Sequence, residues 1–147
     1  MGDSDVMQLY SRRILALTTK IPHQGRLTAP HGSAMRRSPH CGSSVTVDVT
    51  MKDGRVAEFA QEVRACALGQ ASASVLGKAV IGQTRDRLAT ARDQLRAMLK
   101  QDGAPPTEPF EELEALLPAR EYPNRHASIL LAWEAVLAAI DEAQAKA

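Results

Sequence analysis

The fold is decided by residues 44–63, which read SVTVDVTMKDGRVAEFAQEV. From Ser44 to Met51, valines alternate with polar residues, which is the period-two pattern of a half-buried strand. Asp53-Gly54 follows, a dipeptide that is favoured in two-residue hairpin turns. A return strand is predicted from Val56 to about Val63, and one face of it is predicted to carry Ala57, Phe59, Gln61 and Val63. The stretch therefore predicts a local antiparallel hairpin.

Apolar residues at helical spacing lie on both sides of this hairpin. Helices are predicted from Asp5 to about Leu17, from about Cys66 to Gly82, from Thr84 to about Leu99, from Phe110 to Leu117 and from about Arg125 to Ala143. Asp5 and Thr84 are predicted to cap the helices that they begin. Between Thr18 and Cys41 the periodicity disappears and proline and glycine accumulate, which predicts a long loop. The predicted class is α+β, a small antiparallel sheet covered by helices.

Length and composition favour one ordinary globular domain. The 147 residues are 44% hydrophobic and 24% charged, and the net charge of +1 gives no general attraction to nucleic acid or to a membrane. Basic residues, Arg36 and Arg37 among them, are concentrated in the first forty residues, and we interpret them as a solvated surface. No stretch is apolar enough to span a bilayer, and the first thirty residues lack the pattern of a secretory signal. A cytoplasmic protein is therefore expected.

The two cysteines of the chain flank the hairpin. Cys41 lies in a turn-forming run before the first strand, and Cys66 lies at the predicted start of a helix after the second. Helix N-termini and nearby cations are typical surroundings of reactive or metal-binding thiols. In the cytoplasm thiols stay reduced, so a disulfide is disfavoured against metal ligation, catalysis or simple burial as small apolar side chains. Metal or sulfur chemistry at one shared site is the first hypothesis.

A histidine provides a third candidate ligand. His126 stands at the predicted start of the last helix, where its ring could point toward the same pole as Cys66. The alternative is an ordinary surface or capping histidine. His23, His31 and His40 crowd the basic loop, but none has the spacing of a known zinc motif.

Several short motifs resemble those of one family. They are Leu9-Tyr10, Gly25-Arg26-Leu27, Pro39-His40-Cys41-Gly42, Asp53-Gly54-Arg55-Val56, Cys66-Ala67-Leu68-Gly69-Gln70-Ala71-Ser72-Ala73-Ser74 and Trp133. The family is that of the NifU-like iron-sulfur cluster assembly scaffolds, the IscU and SufU proteins, and the resemblance covers about residues 7–143. The motif that begins at Cys66 is the most specific. The long segment between Cys66 and His126 looks more like the SufU type.

The resemblance implies a fold and a function. It implies a single NifU-like scaffold domain over residues 1–147, with a SufE/NifU-like α+β fold of about three antiparallel strands packed against several helices. It also implies a scaffold rather than an enzyme, one that binds iron or an iron-sulfur cluster, with zinc as the alternative, and transfers cluster or sulfur. The implied partners are a cysteine desulfurase and recipient apo-proteins, with a homo-oligomer as a further possibility and with neither nucleic acid nor membrane.

The family's site also indicates where this chain departs from it. The family has a cysteine followed two residues later by an aspartate, a second cysteine at a helix start, and a third at the start of the last helix, often preceded by a histidine. Cys41, Cys66 and His126 match that set, whereas Ser43 stands at the aspartate position and Ala127 at the position of the third cysteine. We predict that Cys41, Cys66 and His126 reach one metal and that Ser43 lines the same pocket.

The reduced ligand set leaves alternatives open. Two thiolates and one imidazole suit a tetrahedral zinc with an exogenous fourth ligand, but they leave a [2Fe-2S] cluster short of protein ligands. A working scaffold is one hypothesis. A degenerate family member that serves as an interaction or regulatory module is the second, and a thiol enzyme in which His126 activates Cys66 or Cys41 is the third.

Overall fold

The computed structural model describes residues 10–39 and 42–146. Its strands are β1 (Gly32–Arg37), β2 (Ser44–Lys52) and β3 (Arg55–Arg64). Its helices are α1 (Arg12–Thr19), α2 (Ala67–Ala79), α3 (Arg85–Lys100) and α4 (Pro123–Ala145), with a 3₁₀ helix at Glu111–Glu121 between the last two. The strands form one antiparallel sheet in the order β1-β2-β3. The predicted α+β class with about three strands is confirmed.

The predicted hairpin is present as β2 and β3. Asp53 and Gly54 both have positive φ, 54° and 76°, as a tight hairpin turn with two left-handed residues requires. A bulge follows, because Thr50 pairs with Glu58 while Met51 pairs with Val56. Ala57 is therefore the extra residue on β3.

This bulge corrects one prediction. The extra residue reverses the alternation of side chains, so that Val56 is buried and Ala57 is exposed. Ala57 was predicted on the same face as Phe59, Gln61 and Val63, which is wrong for Ala57 alone. The other three residues share one face as predicted, and all three are buried.

Strand β1 lies inside the segment predicted to be a loop, and this prediction is wrong. Gly32 pairs with Val49 and Arg37 with Ser44, so β1 is held along its length by β2. A Cβ added at Gly32 would lie 2.0 Å from the Ala139 carbonyl oxygen of α4. The strand therefore depends on pairing with β2, the next strand along the chain, and on α4, which is distant in sequence.

The predicted helices are largely confirmed. Thr84 caps α3 by accepting a hydrogen bond from the Arg87 amide at 3.2 Å. The first helix among the described residues begins at Arg12, is capped by Ser11 and follows a turn at Tyr10. The predicted start and cap at Asp5 lie outside the described residues. The segment that follows Phe110 is a 3₁₀ helix that continues past Pro118, rather than a helix ending at residue 117.

Helix α4 lies at the centre of the core. It contacts β1, β2, α2 and α3, and its Trp133 is fully buried with its ring edge-on to Phe110 at 5.0 Å between centroids. Within the described segments, no helix combines the length and the apolar character needed to cross a bilayer.

The loop before β1 is fastened to the sheet through Asp48. This buried carboxylate accepts hydrogen bonds from Arg26 Nε at 2.7 Å, from the Leu27 amide at 3.0 Å and from Ser33 Oγ at 2.6 Å. The side chain of Gln61, also buried, donates to the carbonyl oxygens of Pro22 and Ala73, both at 3.1 Å. The Gly25-Arg26-Leu27 motif is thus the part of the loop that docks on β2.

Candidate functional site

Cys66 occupies the N-cap of α2. Its backbone is extended, with φ −64° and ψ 170°, and its side chain makes no capping hydrogen bond to the helix. The half-buried sulfur instead lies 3.5 Å from Ser128 Oγ, near the start of α4. The first amides of a helix carry a partial positive charge, which stabilises an anionic ligand atom at this position.

Ser128 connects Cys66 to Ser43. The Ser128 hydroxyl donates to Ser43 Oγ at 3.2 Å, and both serines are buried. The Ser38 amide donates to the Ser43 carbonyl oxygen at 2.8 Å, so the chain segment between them begins and ends beside this contact. Cys66, Ser128 and Ser43, which we call the polar cluster, lie where β2, α2 and α4 begin.

A glycine allows the two helices to meet at the polar cluster. A Cβ added at Gly69, one turn beyond Cys66, would lie 2.7 Å from Ser128 Oγ. Real Cβ atoms do not approach so closely, and the absence of a side chain permits the helix-to-helix contact. Gly69 in the Cys66–Ser74 motif therefore helps to set the distance between Cys66 and Ser128.

His126 faces away from the polar cluster. Its ring is buried, and its Nε2 lies 2.9 Å from the Ala119 carbonyl oxygen. Because a carbonyl oxygen only accepts, Nε2 carries the hydrogen and the neutral ring keeps its lone pair on Nδ1. Helix residues two apart point in different directions, so His126 borders a separate cavity of about 460 Å³ with Lys100 and Arg120.

The remaining predicted site residues are placed as follows. Cys41 and its neighbour His40 lie outside the described residues. Ala127 lies between His126 and Ser128 and lines a further cavity on α4. In the described ranges, no three His, Cys, Asp or Glu side chains lie close enough together to hold a metal ion. The site formed by Cys41, Cys66 and His126 therefore stays a prediction, and Ser43 is the predicted residue that the structure brings to Cys66.

Sequence reasoning missed Ser128. A signal was present, because Ser128 precedes Ala132 by one turn on the buried side of α4. A hydroxyl on a buried helix face requires a hydrogen-bonding partner. That requirement would have placed Ser128 against another polar group of the fold.

Comparison with known proteins agrees with this architecture. Residues 9–147 match the family model described as the NifU-like N terminal domain. The iron-sulfur cluster assembly scaffold protein IscU of Streptococcus pyogenes serotype M1 is 24% identical over 140 residues, covering 95% of this chain and 87% of that protein. The IscU scaffold of Thermotoga maritima is 22% identical over 132 residues, covering 90% and 92%.

Solved structures give the same result. A NifU-like protein (N-terminal) from Brucella abortus is 43% identical, with a TM-score of 0.94 over 97% of this chain and 99% of that one. A scaffold protein for the SUF system from Fervidobacterium islandicum AW-1, at 21% identity, shares the fold with a TM-score of 0.81 over 95% and 99%. The match over residues 9–147 decides the assignment: the chain belongs to the NifU-like N-terminal domain family.

Proposed function

We propose that this chain is a cytoplasmic scaffold of iron-sulfur cluster assembly rather than an enzyme. It forms one NifU-like domain over residues 1–147, holds iron, a cluster or zinc, and passes cluster or sulfur to recipient apo-proteins after contact with a cysteine desulfurase. Its membership of the NifU-like family supports this, as do relatives that are themselves named cluster assembly scaffolds.

The polar cluster is the observation that carries the proposal. Cys66 stands at the N-terminus of α2, half-exposed, with Ser128 and Ser43 beside it. A hydroxyl carries one hydrogen and accepts two more hydrogen bonds, so Ser128 can accept from a thiol and can turn its own hydrogen toward a thiolate. Ser128 is therefore able to form a hydrogen bond with the sulfur in either protonation state.

The other proposed ligands are Cys41 and His126. Ser38 and Ser43 flank Cys41 in the sequence, and the hydrogen bond from the Ser38 amide to the Ser43 carbonyl oxygen holds these two residues together at the polar cluster. The Ala119 carbonyl holds the Nε2–H of His126 and leaves Nδ1 as the ring nitrogen that could bind a metal. To share a metal with Cys66, His126 would have to turn its ring out of the separate cavity that it borders. The fourth position would be taken by an exogenous or partner ligand, with Ser43 lining the pocket.

Replacing Cys66 tests this proposal. Cys66→Ser removes the only described thiol while keeping a residue that caps helices well, so the variant should fold normally and retain almost no metal. Iron, zinc and sulfide contents after anaerobic reconstitution, with visible absorption, measure the loss. Ser74→Ala is the matched control, because Ser74 is buried in the same helix and its hydroxyl has no hydrogen-bonding partner among the described residues. Equal metal in wild type and Cys66→Ser would contradict the proposal.

A second candidate function is that of an interaction or regulatory module, served by a degenerate member of the family. Ser43 and Ala127, at the positions of the family's aspartate and third cysteine, favour it. Ser43→Asp with Ala127→Cys restores the family set and should raise metal or cluster content above that of the wild type. Metal uptake by the double variant alone would favour an interaction or regulatory module. Cluster formation by the wild type would favour a working scaffold that borrows a ligand from a partner or a second copy of the chain.

The contacts of the described residues give no support to a thiol enzyme based on a Cys66–His126 pair. The neighbour of the Cys66 sulfur is Ser128, and the Nε2 of His126 is held by the Ala119 carbonyl oxygen. General-base activation requires the base within hydrogen-bond reach of the thiol.

A further inference from the structure

A groove of about 390 Å³ lies beside the polar cluster, on the side of α4 that carries Ala127. Arg36 and Arg37 at the end of β1 form one wall, and Arg96 and Lys100 in the last turns of α3 form the other. We call this cavity the basic groove. Its floor is the first half of α4.

The charges of the basic groove are not neutralised by the fold. Glu134 is the one carboxylate among its lining residues, and it is held by Arg92 at 3.1 Å and by Arg96 at 2.9 Å. Arg36, Arg37 and Lys100 are exposed and form no ion pair with any described residue. Four cations against one carboxylate leave a net charge of +3 on a chain whose overall charge is +1.

The floor of the basic groove is apolar. Leu130 and Leu131, each 5% exposed, form it together with Ala127. The volume is that of a binding pocket rather than of a site for a single small anion. Cationic walls over an aliphatic floor complement a peptide that carries both carboxylates and an aliphatic side chain.

The basic groove adjoins the polar cluster at two points. Ala127 lines the groove and directly precedes Ser128 on α4. Ser38 also lines the groove, and its amide donates to the carbonyl oxygen of Ser43. A chain bound in the groove would therefore lie next to Cys66.

We propose that the basic groove binds an acidic segment of a partner protein, with carboxylates paired to Arg36, Arg37 and Lys100 and an aliphatic side chain on Leu130 and Leu131. Charge complementarity over short distances aligns a partner and accelerates its encounter. The inference goes beyond the proposed scaffold function, because it requires no metal and holds for an interaction module as well.

Fluorescence anisotropy tests the proposal with a labelled peptide of sequence Glu-Leu-Glu-Asp-Leu-Glu, compared with its amide analogue Gln-Leu-Gln-Asn-Leu-Gln. The acidic peptide should bind at least about tenfold more tightly, and its Kd should rise with ionic strength. Arg37→Glu and Lys100→Glu should each weaken its binding by about tenfold or more, since each replaces an attraction with a repulsion.

Lys52→Glu is the matched control, an exposed lysine at the opposite end of β2, and it should leave the Kd unchanged within about twofold. Circular dichroism checks that each variant is folded, and metal content measured on the same samples keeps the result separate from the scaffold proposal. Equal binding of the amide peptide, or unchanged binding by both groove variants, would overturn the inference. A single-stranded oligonucleotide of six nucleotides that binds as tightly as the acidic peptide would overturn it as well.

Discussion

Two serines of the Ala-Ser-Ala-Ser motif, Ser72 and Ser74, are fully buried in α2 but differ in their partners. Ser72 Oγ donates to the Ile129 carbonyl oxygen at 2.6 Å and accepts from Trp133 Nε1 at 3.0 Å. Ser74 Oγ has no hydrogen-bonding partner among the described residues. Ser72 therefore fastens α2 to α4 just beyond the polar cluster, whereas Ser74 contributes only its volume.

This difference predicts opposite outcomes for two alanine substitutions. Ser72→Ala leaves the Trp133 N–H and the Ile129 carbonyl without this partner and should lower the free energy of unfolding by about 1–3 kcal/mol. Ser74→Ala removes an unpaired hydroxyl and should change it by less than about 0.5 kcal/mol, or raise it. Urea unfolding of the two variants measures both values. Losses of equal size would mean that the hydrogen bonds of Ser72 do not stabilise the fold.

At the scale of elements, the edge strand β1 depends on its contact with α4. Gly32 begins the strand, and a Cβ there would lie 2.0 Å from the carbonyl oxygen of Ala139 and 2.7 Å from the amide nitrogen of Ala143. Both atoms belong to the helix backbone, which cannot move aside as a flexible side chain could. The position of β1, and with it that of Arg36 and Arg37, follows from this close approach.

Gly32→Ala should therefore push β1 away from α4 and lower the free energy of unfolding by about 1–3 kcal/mol or more. Gly82→Ala is the comparison, since Gly82 has a φ of +88° but open space around its Cβ position. Gly82→Ala should lower the free energy of unfolding by about 1 kcal/mol, because only the backbone conformation is strained. Thermal unfolding of both variants separates steric overlap from backbone strain. A smaller loss for Gly32→Ala than for Gly82→Ala would contradict the proposed contact.

At the scale of the whole molecule, Asp48 couples the fold to pH. Its burial raises the pKa of the carboxyl, but the hydrogen bonds from Arg26, Ser33 and the Leu27 amide outweigh this and hold the pKa below its ordinary value. The unfolded chain then binds a proton at a higher pH than the folded one. The stabilisation by Asp48 is complete above the unfolded-state pKa of about 3.9 and is lost as pH falls through the lower folded-state value.

Asp48→Asn should lower the free energy of unfolding near pH 7 by about 1–3 kcal/mol, because the new amide donates where the carboxylate accepted. Below about pH 4, the free energy of unfolding of the variant should also fall less steeply with pH than that of the wild type. Asp141→Asn is the control: Asp141 also has a lowered pKa, set first by the hydrogen bond from Arg85, but it is exposed. Asp141→Asn should lower the free energy of unfolding by no more than about 1 kcal/mol. Urea unfolding across the acid range measures this difference. If the free energy of unfolding of Asp48→Asn depended on pH as strongly as that of the wild type, the role of Asp48 would be contradicted.

The sequence by itself determined the elements that local pattern specifies. The alternation from Ser44 to Met51, the Asp53-Gly54 turn and the helical spacing after Cys66 each depend on residues near one another in the chain. Cys66 at a helix start was predictable for the same reason, whereas the place of Ser43 near it was implied by the family resemblance. The motif that begins at Cys66 indicated the family before any contact was known.

Only the tertiary structure decided the features that depend on distant partners. Strand β1 pairs with β2, the next strand along the chain, but its position depends on the close approach of Gly32 to α4. Ala57 faces solvent because a bulge changes the register of β3. Ser128, rather than His126, meets Cys66 because residues two apart on a helix point in different directions. Pairing, register and helix phase are fixed by packing between elements, and a one-dimensional pattern does not contain them.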